Sequence, residues 1–330
     1  MSRFETVIFL VVVVAAVFFA RLMYPGISGV PSLASADGQA AQTANVQQAL
    51  TAPPTLVLPQ TSISATAQPD GSAADIATSS GQTTAGTTLL PTFTNESYIV
   101  ADLSTDAVLA GSNIAARWPT ASITKLMTAT LVFDQLATST RITITPQMFA
   151  ADPDEQTLVI GGTYTVEDLL HLMLMPSSNV AAQAVADYIG QAQFMNEMNA
   201  RAEQWGMTKT YFADPSGISA ANESSASDLL ILAQHVYNDY PGILALTNTP
   251  AATITELNSG KTAKIRSINT FVGTPNFIGG KTGNTDQAGG NLLSLFDSGG
   301  RKVFILVLGA PALPFKDTSA LYSWFQSNYQ

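Results

Sequence analysis

The sequence predicts an α+β fold in which helices pack on an antiparallel sheet. Two apolar runs near residue 100 are separated by a short polar turn, which is typical of a β-hairpin. A series of apolar helical segments follows, and the last part of the chain returns to strands and one closing helix. This order of strands, helices and strands places both groups of strands in one sheet covered by the helices.

The predicted strands lie at the two ends of this region. The first hairpin joins residues 98–102 to 108–110 through Ser104, Thr105 and Asp106. The turn Ser298-Gly299-Gly300 is typical of a tight hairpin between the last two strands. The three C-terminal strands are predicted at 277–282, 291–296 and 302–308. A closing helix over 320–327 follows, with Asp317 as a candidate cap.

The helices are predicted from apolar periodicity and from their start and stop residues. Residues 122–136 are apolar almost all round, which indicates a buried helix. Two further helices have clear ends, one at Pro176 and one at Gly190. The predicted ranges after the first helix are 166–175, 180–189, 194–205 and 229–237.

The N-terminal part of the chain predicts a membrane anchor and a tether. Residues 7–20 are an unbroken apolar run between Arg3 and Arg21, and 1–24 is predicted as an uncleaved anchor in preference to a cleaved signal. Residues 25–93 are rich in Ala, Ser, Thr, Gln and Pro and are predicted to be disordered, because they offer little apolar surface to bury. The globular domain is expected over 94–330.

Composition excludes several classes of function. The 330 residues carry a net charge of −10, which argues against nucleic acid as a partner. The chain has no cysteine, so disulfides, thiolate metal sites and a cysteine nucleophile are excluded. The two histidines, His171 and His235, have no partner at metal-ligand spacing and are interpreted as helix-face residues. The acidic run 152–155 lacks a calcium-loop pattern and is interpreted as a solvated loop.

Ser122 and Lys125 form the first of three short motifs that carry chemistry. A serine hydroxyl needs a base within hydrogen-bond reach, and a spacing of three residues at a helix start brings both side chains to one face. Lysine can act as that base only where burial or a second cation lowers its pKa, and Lys281 is a candidate for the second cation. A Ser-x-x-Lys string is also frequent by chance, so the pair alone decides nothing.

The second and third motifs are equally weak when taken alone. Ser177 and Asn179 follow Pro176 between two helices, where capping explains them as well as a polar cleft wall does. Lys281, Thr282 and Gly283 follow an apolar strand and suit a substrate carboxylate, whereas the glycine spacing of a phosphate loop is missing.

The three strings together, in this order, resemble the motif set of the penicillin-interacting serine acyltransferases. Their flanks resemble the D-alanyl-D-alanine carboxypeptidases, the low-molecular-mass penicillin-binding proteins: residues 118–129, 168–179, 212–217 and 281–289. The resemblance covers about 94–330 and implies a β-lactamase/DD-peptidase-like fold. Only 47 residues follow Gly283, so a second all-β domain is not expected in this sequence.

The resemblance implies a role for each motif residue. Ser122 would be the nucleophile, Lys125 its base, and Ser177 and Asn179 the second wall of the cleft. Lys281, Thr282 and Gly283 would bind the substrate's free carboxylate, and the backbone N–H groups of Ser122 and Asn284 would form the oxyanion hole. The implied reaction removes the terminal D-Ala from peptidoglycan stem peptides through an acyl-enzyme. β-Lactams would acylate Ser122, and neither a metal nor an organic cofactor is implied.

Three rival functions share part of this pattern. A β-lactamase would need a glutamate followed four residues later by asparagine, and none of Glu197, Glu203, Glu223 and Glu256 has one. A DD-endopeptidase that cuts peptide cross-links shares all three motifs and stays open, as does a penicillin-binding sensor without turnover. Since peptidoglycan lies outside the cytoplasmic membrane, the domain is expected on the extracytoplasmic side, held by the N-terminal anchor.

Overall fold

The computed structural model describes residues 88–329 and places a five-stranded antiparallel sheet at their centre. The order across the sheet is β2-β1-β11-β10-β9, so β9 is an edge strand. Its strands are β1 (Ser97–Asp102), β2 (Ala107–Ser112), β9 (Phe277–Thr285), β10 (Gly289–Ser298) and β11 (Arg301–Ala310). Strands from both ends of the sequence meet where β1 pairs with β11, which confirms the predicted α+β arrangement.

Strand β11 shows how the sheet separates two apolar layers. Phe304, Leu306 and Leu308 belong to the large cluster on the helical side, whereas Val303 and Ile305 belong to a smaller cluster on the other face. This alternation follows from the two-residue period of a strand. Both faces are buried, which accounts for the almost unbroken apolar sequence of β11.

Eight α-helices occur in the described residues, and α1 is the most deeply buried of them. Every residue from Thr124 to Val132 in α1 is buried. Among the helices of residues 88–329, only α8 packs against the second face of the sheet, through Leu321 and Phe325. The helices are α1 (Thr124–Gln135), α2 (Pro146–Phe149), α3 (Val166–Leu174), α4 (Asn179–Ile189), α5 (Gln191–Gln204), α6 (Ala226–Asp239), α7 (Pro241–Thr247) and α8 (Phe315–Tyr329).

Three two-stranded sheets complete the fold, and none of them is predicted from the sequence. They pair β3 with β6, β4 with β5, and β7 with β8. The strands are β3 (Arg117–Pro119), β4 (Arg141–Thr143), β5 (Thr163–Thr165), β6 (Glu223–Ser225), β7 (Ala251–Thr255) and β8 (Thr262–Arg266). Four of these strands have three residues, which is too short for a periodic pattern to indicate a strand.

The start of the first predicted helix is corrected by the structure. Ser122 lies in a 3₁₀ turn, Ala121–Ile123, and α1 begins only at Thr124. The closing helix is also longer than predicted, because α8 starts at Phe315 and includes the candidate cap Asp317 in its first turn.

The residues that open the described region lie against α8. The carbonyl of Thr88 accepts a hydrogen bond from the indole of Trp324 at 3.1 Å, and Phe93 packs edge-on against Tyr98. The predicted anchor and most of the predicted tether lie outside the described residues. Within residues 88–329, no helix has the length and apolar character needed to span a bilayer.

Candidate active site

Ser122 is presented by a tight turn at the head of the buried helix α1. Asn222 holds the residues before it, since its carbonyl accepts from the Thr120 N–H at 2.9 Å. Ala121 has a positive φ of 47°, an unusual backbone conformation for an L-residue. Strain of this kind persists only where the surroundings fix the backbone. The Ser122 side chain is half-buried and faces a cleft.

Lys125 is fully buried and makes three hydrogen bonds through its Nζ atom. Nζ lies 2.8 Å from Ser122 Oγ, 2.7 Å from Asn179 Oδ1 and 2.7 Å from the Ser216 carbonyl. The last two partners can only accept. A neutral amine with two N–H bonds directed at these acceptors has one lone pair left, and that lone pair faces the Ser122 hydroxyl. The arrangement is therefore suited to removing the proton from Ser122.

The surroundings of Lys125 favour its neutral form. Burial lowers the pKa of Lys125 well below its usual range, and the positive charge of Lys281 lowers it further. Asp214 and Asp152 oppose this effect, because their negative charges favour the protonated amine. Desolvation is the largest of these influences, so the amine loses its proton far more easily than an exposed lysine does.

The loop between α3 and α4 carries Ser177 and Asn179. Ser178 caps α4, since its Oγ accepts from the Ala181 N–H at 3.1 Å, and this turns its neighbours toward the cleft. Ser177 has a positive φ of 72° and accepts a hydrogen bond from Lys281 Nζ at 2.9 Å. Ser178 therefore caps the helix, whereas Ser177 and Asn179 line the cleft.

The edge strand β9 brings Lys281, Thr282, Gly283 and Asn284 to the opposite side of the cleft. Lys281 is buried, and burial lowers its pKa to about 7. A Cβ atom on Gly283 would lie 3.0 Å from the Thr120 carbonyl and 3.1 Å from the Ser122 nitrogen. Glycine thus allows β9 to approach the turn that contains Ser122 closely.

One cleft of about 450 Å³ joins the three motifs. Six of the eight predicted site residues line it, and the remaining two are the buried lysines that bond to its walls. Apolar residues close the end near α8. The lining residues are Ser122, Ser177, Asn179, Ile268, Thr270, Thr282, Gly283, Asn284, Asn291, Leu313, Pro314 and Phe315.

Comparison with known proteins identifies the group to which this chain is related. The family model described as D-alanyl-D-alanine carboxypeptidase, peptidase S11, matches residues 83–312. The chain belongs to this family.

Two relatives illustrate the range of the S11 family. The D-alanyl-D-alanine carboxypeptidase DacD of Escherichia coli is 31% identical over 71% of this chain, but the match spans only 63% of DacD, just under two thirds. A D-alanyl-D-alanine endopeptidase of the same organism is also 31% identical, over 72% of this chain and 79% of its own length.

Solved structures of related proteins have the same fold. A D-alanyl-D-alanine carboxypeptidase from Mycobacterium tuberculosis superposes with a TM-score of 0.66 at 28% identity, covering 73% of this chain and 94% of that one. Penicillin-binding protein D2 from Listeria monocytogenes, in an ampicillin-bound form, superposes with a TM-score of 0.61 at 27% identity. The match covers 74% of this chain and 100% of that one.

The site also includes a loop that contains none of the predicted site residues. Asp214 accepts backbone hydrogen bonds from Ser216 at 2.8 Å, Gly217 at 2.7 Å and Ser219 at 2.9 Å. Although burial opposes its ionisation, these bonds lower the pKa of Asp214. The loop they shape presents the Ser216 carbonyl to Lys125. The Asp-Pro-Ser-Gly sequence indicates a turn, but it carries no signal that the turn meets the lysine.

Asn291 on β10 links the sheet to the nucleophile turn. Its Nδ2 donates to the Pro119 carbonyl at 2.8 Å, and its Oδ1 accepts from the Gly309 N–H at 2.9 Å. Asn291 therefore joins β11 to the residues that precede Ser122. The two histidines lie on helices α3 and α6, and the described part of the chain contains no cluster of His, Asp or Glu arranged to bind a metal.

Proposed function

We propose that this protein is a serine-type D-Ala-D-Ala carboxypeptidase that removes the terminal D-Ala from peptidoglycan stem peptides. One observation carries the proposal: a buried lysine with two acceptor-only partners faces the hydroxyl of Ser122 at the edge of a cleft. Family membership supplies the substrate class, which the cleft alone does not specify.

In the proposed acylation step, Ser122 Oγ attacks the carbonyl carbon of the penultimate D-Ala while Lys125 takes the hydroxyl proton. The carbonyl oxygen becomes an oxyanion held by the backbone N–H groups of Ser122 and Asn284. The C–N bond then breaks, which leaves an ester between the peptide and Ser122. Both backbone groups border the same cleft, as this step requires.

Ser177 and Lys281 would act on the departing D-Ala. Because Lys281 Nζ donates to Ser177 Oγ, the hydroxyl proton of Ser177 is free to pass to the leaving amine. In the proposed relay, Ser177 receives in its place the proton that Lys125 took from Ser122, so Lys125 is neutral again before hydrolysis. The protonated Lys281 and the Thr282 hydroxyl would bind the free carboxylate of that residue. The substrate would lie along the exposed edge of β9, where an extended peptide can pair with unpaired backbone groups.

Hydrolysis of the ester completes the proposed cycle. Water attacks the acyl carbon while Lys125 takes one of its protons; the bond between that carbon and Ser122 Oγ then breaks, and Lys125 returns the proton to Oγ, which restores the hydroxyl. A β-lactam would form the same ester with Ser122, because its ring amide and carboxylate resemble the D-Ala-D-Ala end. The ampicillin-bound Listeria structure supports this expectation for a related protein.

A DD-endopeptidase acting on peptide cross-links is the second candidate. The match to the Escherichia coli endopeptidase spans 79% of that protein, against 63% of DacD. An endopeptidase would cut after the same D-Ala residue but release a second stem peptide. Its leaving group is larger, so the apolar end of the cleft near Leu313 and Phe315 would have to accept more than a methyl group.

Purified muropeptides distinguish these candidates. The full chain is incubated with monomeric pentapeptides and with cross-linked dimers, beside a Ser122→Ala variant. Release of D-Ala from monomers as the faster reaction supports the carboxypeptidase, and faster cleavage of dimers supports the endopeptidase. Fluorescent penicillin that never labels Ser122, with no turnover of either substrate, would instead indicate a sensor domain without activity.

The proposed location follows from the substrate. Peptidoglycan lies outside the cytoplasmic membrane, so the domain is proposed to work there, attached through residues 1–24. Membrane and soluble fractions of a tagged full chain, with and without that segment, test this. Membrane association that persists after deletion would contradict the anchor.

A further inference from the structure

The acidic run between α2 and β5 touches the second motif, although the sequence suggests only a solvated loop. Asp152 Oδ2 accepts a hydrogen bond from Asn179 Nδ2 at 3.3 Å. Glu155 Oε2 accepts one from Ser178 Oγ at 2.5 Å. Asp152 and Glu155 are half-buried, whereas Asp154 between them is exposed. The run therefore lies directly behind the loop that contacts Lys125.

The Asn179 amide has two chemically different ends, and Asp152 determines which end faces Lys125. An ionised carboxylate only accepts hydrogen bonds, so it selects the NH₂ end of the amide. The Oδ1 end is then left to accept from Lys125 Nζ at 2.7 Å. A flipped amide would place its oxygen against the carboxylate and its NH₂ group against the amine.

This choice of orientation affects the proposed base. A flipped Asn179 would donate an N–H to neutral Lys125 and occupy the lone pair that faces Ser122. We propose that Asp152 is a positioning residue for this reaction: it fixes the orientation of the Asn179 amide and so keeps the lone pair of Lys125 directed at the Ser122 hydroxyl. The inference rests on the proposed role of Lys125, and it holds for a carboxypeptidase and an endopeptidase alike.

Asp152 is itself held in place, which the proposal requires. Its Oδ1 atom accepts from the Asp154 N–H at 3.3 Å, and its carbonyl accepts from the Glu155 N–H at 3.2 Å. Glu155 Oε1 in turn accepts from the Thr157 N–H at 2.7 Å, while its other oxygen bonds Ser178. The loop is thus fixed to itself and to the start of α4 at two adjacent points.

Charge gives the proposal a second readout. The charged groups that act on Lys125 are Lys281 on β9, Asp214 in the loop before β6, and Asp152. The negative charge of Asp152 raises the pKa of Lys125, so its removal lowers that pKa. The acidic limb of the acylation rate, which follows loss of the Lys125 proton, should then move to lower pH.

The test compares Asp152→Asn with the matched control Asp154→Asn, which removes the same charge from the neighbouring exposed position. Second-order acylation of the full chain by fluorescent penicillin is measured across pH. We expect Asp152→Asn to acylate about ten- to a hundredfold more slowly than the wild type. This is the rate loss expected when a hydrogen bond to a charged group is removed. Its acidic limb should move to lower pH, and Asp154→Asn should match the wild type.

Two further variants separate positioning from loss of structure. Asp152→Glu retains an acceptor-only carboxylate and should acylate faster than Asp152→Asn; equal rates would overturn the proposal. In an Asn179→Ala background, Asp152→Asn should lower the acylation rate by less than about twofold, because there is no amide left to orient. The same loss in both backgrounds would also overturn it.

Failure of the proposed function would look different from failure of this inference. If wild type and Ser122→Ala label equally, Ser122 is not the nucleophile and the proposed function is wrong. If only the wild type labels, but Asp152→Asn keeps its rate and pH profile, the nucleophile stands and the role of Asp152 is wrong.

Discussion

Replacement of Gly217 by alanine is expected to disable the nucleophile without unfolding the protein. Gly217 has a φ of +85° and lies against the turn that presents Ser122. A Cβ atom at Gly217 would lie 1.9 Å from the Ala121 carbonyl oxygen and 2.9 Å from Thr124 Oγ1. Ordinary contact begins near 3.4 Å. The Ala121 carbonyl and the Gly217 backbone must therefore separate by about 1.5 Å, which displaces Ser122 next to Ala121, or the Ser216 carbonyl that bonds Lys125, or both.

The magnitude follows from this displacement. A shift of about 1 Å in a reacting group costs about a hundredfold in rate, so acylation of Gly217→Ala should fall by at least about a hundredfold. The left-handed backbone and the overlap together should lower the free energy of unfolding by about 2 to 5 kcal/mol. That is less than the total stability of most domains, so the variant should still fold.

Gly206→Ala is the matched control for backbone strain. Gly206 has a φ of +79°, and a Cβ atom there would meet nothing within 4 Å. The free energy of unfolding of Gly206→Ala should fall by only about 1 kcal/mol, because alanine is less stable than glycine in the left-handed conformation. Its acylation rate should not change. Labelling by fluorescent penicillin is followed over time, with urea unfolding of each variant. Gly217→Ala that labels at the wild-type rate would refute the close packing on which the argument depends.

Three further expectations concern charged groups. Lys125→Met removes the proposed base, so the rate of acylation by penicillin should fall by about 10² to 10⁴-fold. The control Lys209→Met changes an exposed lysine and should label at the wild-type rate. Equal labelling of the two variants would contradict the role of Lys125 as base. Burial lowers the pKa of Lys281 to about 7, so its charge is lost as pH rises through that value, and kcat/KM for a substrate with a free carboxylate should decline above about pH 7. A flat profile up to about pH 9 would show that Lys281 stays charged. Burial opposes ionisation of Asp102, but hydrogen bonds from Arg301 and a backbone N–H prevail and lower its pKa. The stabilisation is therefore present above the ordinary value of 3.8 and lost as pH falls through the folded pKa. Asp102→Asn should lower the free energy of unfolding, measured in urea, by about 3 kcal/mol near pH 7. A difference in unfolding free energy between wild type and variant that does not shrink in acid would refute this.

Long apolar segments made most of the fold predictable. Strand β11 and helix α4 differ from their predicted ranges by no more than two residues at either end, because apolar periodicity and a flanking glycine mark them. The strands β3 and β6 pair across a long sequence separation and have three residues each. Their stability depends on tertiary neighbours such as Asn222, which local sequence does not reveal.

The juxtaposition of Ser122, Lys125 and Lys281 was predictable from the joint occurrence of the three motifs, because each motif alone is frequent by chance. The structure brings the three motifs to one cleft. The Ser216 carbonyl escapes such reasoning, since every residue has one and only the loop around Asp214 aims it at Lys125. The α-helix also begins later than the spacing of Ser122 and Lys125 predicts, because Ser122 lies in a 3₁₀ turn ahead of it.

The acidity of Lys125 shows why the motifs alone do not define the chemistry. Burial and Lys281 favour the neutral amine, and if they acted alone they would also make it a weak acceptor of the serine proton. Asp214 and Asp152 act in the opposite sense, and both belong to loops outside the three motifs. The same two loops also hold the partners of Nζ, one through the Ser216 carbonyl and the other through Asn179. If Asp214 and Asp152 act as proposed, substitution of either one should change the acylation rate and its pH dependence together, because each carboxylate raises the pKa of Lys125 and belongs to a loop that holds a partner of its Nζ atom.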